Sequence, residues 1–265
     1  MNPMVRKELN LRMRERRGWV LPSLYLLTLG AVSALAYYIS TDRGSYSELQ
    51  GADIGVPMFL CVAYAQLSLL LLLAPIFSAG SLTIEKEQKT LAGLLTSLLT
   101  PFQIWWGKFA ASLLFVMLLI VSGLPVLSIA FAFGGVGLWE VAMATVSTVV
   151  VLAAVSAIGL YWSSVFRRTV HATSVTYATV IAMTIVTFVV FIIAMSVHRG
   201  PGWDNISFGM KSPLYFNPIF FLTMGFASPR HLYPEWLRCL GVFGLLTLLA
   251  IGLTLWNLRK SGETA

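Results

Sequence analysis

Apolar residues gather along the chain into six long runs, Trp19–Ser40, Ile54–Ser78, Ile104–Phe133, Trp139–Ser163, Thr173–Val197 and Trp236–Leu258. About 20 largely apolar residues suffice for a helix to cross the hydrocarbon core of a bilayer. Each run therefore predicts one transmembrane helix, and residues 1–265 together predict one all-α membrane domain of six spans. The third run is the longest and holds Gly123 and Pro125, where a kink is expected. Trp19, Trp105, Trp106, Trp139, Trp236 and Trp256 fall at or near run ends, the usual place of interfacial aromatics. Residues 198–235 form the longest connection, and within it Pro213–Phe226 is apolar but too short to span. That length predicts re-entrant or interfacial helices rather than a seventh crossing.

Composition points the same way. Of 265 residues, 57% are hydrophobic and 11% charged, against about 25% charged in soluble domains. The net charge of +7 follows topology, because 13 of the 18 Lys and Arg fall on one side of the predicted bundle. They are Arg6, Lys7, Arg12, Arg14, Arg16 and Arg17, then Lys86, Lys89 and Lys108, then Arg167 and Arg168, then Arg259 and Lys260. Arg43, Arg199, Lys211, Arg230 and Arg238 fall on the other. Positive residues concentrate in cytoplasmic loops, so both termini are expected in the cytoplasm and the 198–235 loop outside. No basic stripe interleaved with aromatics suggests nucleic acid. Residues 1–36 have the order of a signal peptide, with Ala34-Leu35-Ala36 as a cleavage site. The basic region is long for that role, however, and the apolar run continues through Ile39. Cys61 and Cys239 lie in or beside apolar runs and offer neither a disulfide framework nor metal-ligand spacing.

One charged island interrupts this pattern: SLTIEKEQKTLAGLLTSLLTPFQIWWGK, residues 81–108. On a helical wheel of residues 82–99, Ile84, Leu91, Leu94, Leu95 and Leu98 share an arc of about 100°, one buried face. Lys86, Lys89 and Thr90 point elsewhere. Glu87 lands on the apolar arc near the expected beginning of this helix, where free N–H groups and the positive dipole end favour a carboxylate. Ser81 or Thr83 is the expected N-cap, and Pro101 ends the pattern. Periodicity alone leaves two readings open, an interfacial connector and a docking helix.

A resemblance carried by these residues favours the second. Glu85-x-Glu87-x-x-Thr90-Leu91-x-x-Leu94-Leu95, with Gly107-Lys108 opening the next span, resembles the motif of type-2 ATP-binding-cassette transporter permeases, where it also follows the second of six spans. Two positions differ: Lys89 stands where Gly usually precedes the Thr-Leu pair, and the proline expected near Leu98 is displaced to Pro101. The resemblance implies that residues 82–100 hold a cytoplasmic coupling helix seated in a groove of a separate ATPase, through Ile84, Glu85, Glu87, Thr90, Leu91, Leu94, Leu95 and Leu98. The opening Asn2-Pro3-Met4-Val5-Arg6-Lys7-Glu8-Leu9 and its basic continuation resemble the family's N-terminal elbow helix, placing residues 1–17 along the inner leaflet. There Val5, Leu9 and Met13 form a weak apolar stripe, and anionic lipid contributes about 1 kcal/mol per basic residue. The resemblance further implies short external helices in the 198–235 loop and a second permease copy, identical or a paralogue. ATP and Mg would belong to the partner, the setting would be a bacterial cytoplasmic membrane, and the cargo exported would be a lipid, lipid-linked glycan, peptide or drug.

No catalytic motif stands in this chain. Gly107-Lys108 is followed by Phe109, not Ser or Thr, and Gly134-Gly135-Val136-Gly137 is a short turn with no strand before it. His171, His198 and His231 are dispersed, and Asn205-Ile206-Ser207 matches a glycosylation acceptor. Glu140 sits at a span end, where solvation explains it more simply than proton relay. On span five Thr169, Thr173, Thr176, Thr184 and Thr187 fall within about 80°. On span four Thr145, Thr148, Ser156, Gly159 and Ser163 form two patches parted by Leu152. Such faces let helices approach closely, between these two spans or against a second copy. The sharper reading is that Thr173, Thr176, Thr184 and Thr187 line the pathway. A secondary transporter, or a membrane scaffold or enzyme without an ATPase partner, is the alternative. The former would show inverted repeats and polar midplane residues, which the sequence does not display.

Overall fold

The computed structural model describes residues 17–42, 51–90, 100–197, 211–226 and 233–263. Elbow residues 1–16 and island residues 91–99, with Leu91, Leu94, Leu95 and Leu98, lie outside the described residues. The first four spans are α1 (Arg17–Asp42), α2 (Gly51–Glu87), α3 (Pro101–Ala132) and α4 (Leu138–Val165). The fifth consists of α5 (Thr169–Ile181), a π-helical turn at Ala182–Val186, and α6 (Thr187–Val197). A 3-10 turn at Ser212–Phe216 and α7 (Pro218–Phe226) precede the sixth span, α8 (Tyr233–Glu263). Among the described residues six helices are long and apolar enough to cross a membrane. The apolar segment before α8 forms two short helices, in agreement with its length.

Local signals explain the boundaries. Thr100 caps α3 by accepting from Gln103 N–H at 3.3 Å while Gln103 Oε1 accepts from Thr100 N–H at 3.0 Å. Pro101 is then the first helical residue, where a missing N–H costs nothing. The helix continues through Gly123 and Pro125. Gly134 and Gly135 take φ of +90° and +82°, a left-handed turn that joins α3 to α4 in a few residues. Glu140 lies in the first turn of α4, at the positive end of its dipole.

Helices α2 and α4 form the centre. Helix α2 packs on α1, α3, α4 and α5, and α4 packs on α2, α3, α5, α7 and α8. The main core includes Leu29, Phe59, Leu70, Leu119, Leu152 and Phe243. A second cluster joins Leu82, Trp105, Phe109, Ala157, Leu160, Ala250 and Leu258 at the end bearing Lys86, Lys108 and Arg167, here the basic end. Peripheral helices turn Leu27, Tyr38, Ile193 and Leu248 outward. In hydrocarbon such a surface is at ease, because every helix satisfies its own backbone.

The tryptophans divide. Trp106, Trp139 and Trp256 are exposed, as interfacial residues should be, but Trp105 and Trp236 are core anchors. The Trp105 ring stacks on Phe109 at 4.8 Å, and Trp236 Nε1 donates to Ser147 Oγ at 2.9 Å. Position at a span end did not distinguish the two groups, since it says nothing about which side of the helix meets protein.

Candidate functional site

The charged island begins inside a helix. Helix α2 ends at Glu87 rather than near Ser78, so Ser81 and Thr83 are not N-caps. Ser81 Oγ donates to Ser78 O at 2.8 Å and Thr83 Oγ1 to Ala79 O at 3.1 Å, both within the helix. These polar residues face protein because α4 crosses here at very short range. A Cβ on Gly159 would lie 2.1 Å from Ser78 Oγ. Ser163 Oγ accepts the N–H groups of Leu82 and Thr83 at 2.9 and 3.0 Å. The patch of small residues that holds Gly159 and Ser163 thus serves contact with α2, while Ser147, outside both patches and on the opposite side of α4, holds Trp236 of α8. Contact between spans four and five, or with a second copy, was the expected use of both patches.

Three consecutive side chains then fan out from the end of α2. Glu85 turns to α3, where Lys108 Nζ donates to its Oε1 at 2.8 Å and to Ser81 O at 2.7 Å. Lys108 is 1% exposed, so the pair is largely buried. Lys86 Nζ donates to the carbonyls of Ser163 (2.9 Å), Ser164 and Phe166 (3.0 Å), capping the C-terminus of α4. Glu87 Oε1 accepts the Thr169 N–H at 2.6 Å, capping the N-terminus of α5. A cation at a helix C-terminus and an anion at an N-terminus each contribute about 0.3–1 kcal/mol. Glu87 does meet a positive dipole end, but that of α5; it stands at the wrong end of its own helix. Nearby, Asn257 Nδ2 of α8 donates to Ser164 Oγ at 3.2 Å.

Past Glu87 the chain turns in a Schellman motif. Lys89 N–H donates to Lys86 O at 3.2 Å and Thr90 N–H to Glu85 O at 2.9 Å. Between them Lys89 takes φ of +58°, the left-handed conformation that favours glycine. This explains why Gly suits the position that Lys89 holds, and it breaks the expected continuous helix over 82–99. Lys89→Gly is expected to stabilise the protein by about 1 kcal/mol, read as a higher unfolding midpoint. An unchanged or lower midpoint would count against a strained Lys89.

The expected coupling face is therefore divided. Ile84, Thr90 and Glu87 are exposed, Glu85 is engaged with Lys108, and the four leucines lie beyond the described residues.

The threonines of the fifth span bond to their own helix. Thr173, Thr176, Thr184 and Thr187 donate to Thr169, Ala172, Val180 and Met183 carbonyls. Thr176 is fully buried, while Thr173, Thr184 and Thr187 are half-buried. The π-helical turn at Ala182–Val186 contains Thr184 and ends just before Thr187. A π turn holds about one extra residue, so a wheel of constant steps of about 100° does not carry through it from Thr176 to Thr187. Asn217, 2% exposed, donates to Thr184 O at 2.9 Å and Thr187 Oγ1 at 3.0 Å. Its Oδ1 accepts the N–H groups of Ile219 and Phe220, capping α7. The Asn217-Pro218 pair is a legible helix start. Beside it Tyr215 donates to Glu235 Oε2 at 2.5 Å, and Arg238 pairs with Glu235 Oε1 at 2.9 Å. Burial, then the Glu235 carboxylate, pushes the Tyr215 phenol up to about 12, so it remains a donor at neutral pH.

A six-helix bundle whose charged island braces three neighbouring spans now has a family to set beside it. The family model described as ABC-2 family transporter protein matches residues 3–255. The chain belongs to this family. Among curated proteins none matches the chain. As an ABC-2 permease it is the membrane component of a transporter, in a family that in general works with an ABC ATPase. The match takes in the first five spans, the charged island and the sixth span of this ABC-2 permease as far as Leu255.

Proposed function

We propose that this ABC-2 permease is the transmembrane half of an ATP-driven exporter, worked by cytoplasmic ATPase subunits that hold ATP and Mg and grip the segment after α2. The supporting observation is the fan of Glu85, Lys86 and Glu87: movement of this one helix end reaches α3, α4 and α5 through direct polar bonds. The sequence assigns the excess of Lys and Arg to the side of this helix end, which supports cytoplasmic termini in a bacterial cytoplasmic membrane. A second copy or a paralogue completes the path. Cargo is hydrophobic or amphiphilic, in keeping with a bundle poor in charge: a lipid, lipid-linked glycan, peptide or drug. The half-buried Thr173, Thr184 and Thr187 are the path-lining candidates, whereas Thr176 serves packing within the subunit.

Leu91→Asp with Leu94→Asp places two carboxylates on the apolar docking face. The ATPase that co-purifies with the parent permease is expected to be lost from this variant, with the permease still folded in membranes. Undiminished co-purification and ATP turnover would reject the docking surface.

A further inference from the structure

We infer that Lys86 and Glu87 are positioning residues that carry displacement of the α2 end to the fourth and fifth spans separately from the third. The inference rests on the motor reading above and adds the route. The link from α4 to α5 is three residues long, Phe166, Arg167 and Arg168, and its two flanking helix termini are capped by adjacent side chains of α2. Neither terminus has a side-chain cap of its own nearby: Arg168 provides none, and Phe166 offers only its backbone N–H, to Trp162 O. Lys86 spans three carbonyls, so its ammonium follows α4 rather than one residue of it. Glu87 bonds the first amide of α5, where a pull along the helix axis acts on the whole helix. Far from the α2 end Tyr177 Oη donates to Leu72 O at 2.6 Å, and helix α5 also packs on α2. In a bilayer, however, such packing lacks a hydrophobic drive, and directional polar bonds resist sliding better. Glu85, one residue earlier, serves α3 alone through Lys108. Successive residues therefore divide one displacement among three spans.

The test uses the full permease with its co-purified ATPase in lipid nanodiscs, with Cys61→Ser to remove the exposed thiol. Nitroxide pairs are placed at exposed sites, Val20 with Trp106, Val20 with Val165, and Val20 with Val170, reporting the third, fourth and fifth spans against the first. Pulsed dipolar spectroscopy compares nucleotide-free complex with complex trapped by ATP and vanadate. All three distances are expected to shift in the parent. Glu87→Ala should reduce the 20–170 shift to less than half while leaving the 20–106 shift and ATP hydrolysis in place. Glu87→Gln, which keeps an acceptor oxygen, should restore it. Lys86→Met should act in the same way on the 20–165 pair, giving a separate arm should Glu87→Ala fail to assemble. Unchanged shifts in both variants overturn the inference, as does equal loss at all three pairs, which would mark a general brace. A parent in which no distance responds to ATP overturns the motor reading and this one with it; a parent in which only the 20–106 pair responds overturns this one alone.

Discussion

Glu85→Ala is expected to destabilise the permease by about 3–5 kcal/mol, because it leaves the Lys108 ammonium buried without its carboxylate. The reverse change should be milder. Glu85 is 20% exposed against 1% for Lys108, so in Lys108→Met the remaining carboxylate can recover water at the membrane edge. Replacing both partners by Met should restore most of the lost stability, since the penalty comes from the orphaned charge rather than from the absent pair. Unfolding of the purified protein by heat or SDS, taken through the four corners of this cycle, reads the order directly. Equal costs for the two single changes, or a double variant as weak as the worse single, would show that burial of Lys108 does not govern the pair. The double variant has a second use: if stable yet unable to couple to its ATPase, it separates the docking role of Glu85 from its structural one.

Gly159→Ala should cost about 3 kcal/mol, at the upper end for overpacking by one methyl. Ordinary methyl insertions find some slack. Here the new carbon would lie 2.1 Å from Ser78 Oγ, 2.9 Å from Ser78 Cβ and 3.3 Å from the Ala79 nitrogen, so only separation of α2 from α4 can relieve it. Separation would also stretch the bonds from Leu82 and Thr83 N–H to Ser163 Oγ. Ser78→Gly removes the two nearest atoms and is expected to return the Gly159→Ala variant to within about 1 kcal/mol of the parent. The same unfolding measurement decides it. A Gly159→Ala protein of parental stability would mean that the helices do not cross so closely.

Much of this fold could be read in advance. Six apolar runs marked six helices, because in hydrocarbon nothing but a fully bonded backbone is tolerated. The site was less legible, and particular residues show why. Ser78 read as a span end and Ser81 or Thr83 as the cap of a new helix, yet each hydroxyl bonds to a carbonyl about one turn back within α2. Glu87 was matched with a dipole from its place near the expected helix start, but no wheel can assign the dipole to α5, whose position is a tertiary fact. The left-handed Lys89 lies where the family's glycine would have signalled a stop, so the helix end was hidden by the substitution. The π-helical turn at Ala182–Val186 carries no Gly or Pro, and wheel phase was extrapolated through it. Asn217 was the opposite case: its Asn-Pro signal was present, and only its second role, donating to Thr184 O, required coordinates.

Capping from α2 has a consequence for how the chain enters its membrane. A tight helix-to-helix link that had to satisfy its own ends would place Asp or Asn before α5 and Gly after α4. Since Lys86 and Glu87 meet both needs from elsewhere, the link can instead read Phe-Arg-Arg, with both guanidinium groups left in water. Those two cations sit in a short link between adjacent spans, where Lys and Arg count toward the direction in which a nascent hairpin inserts.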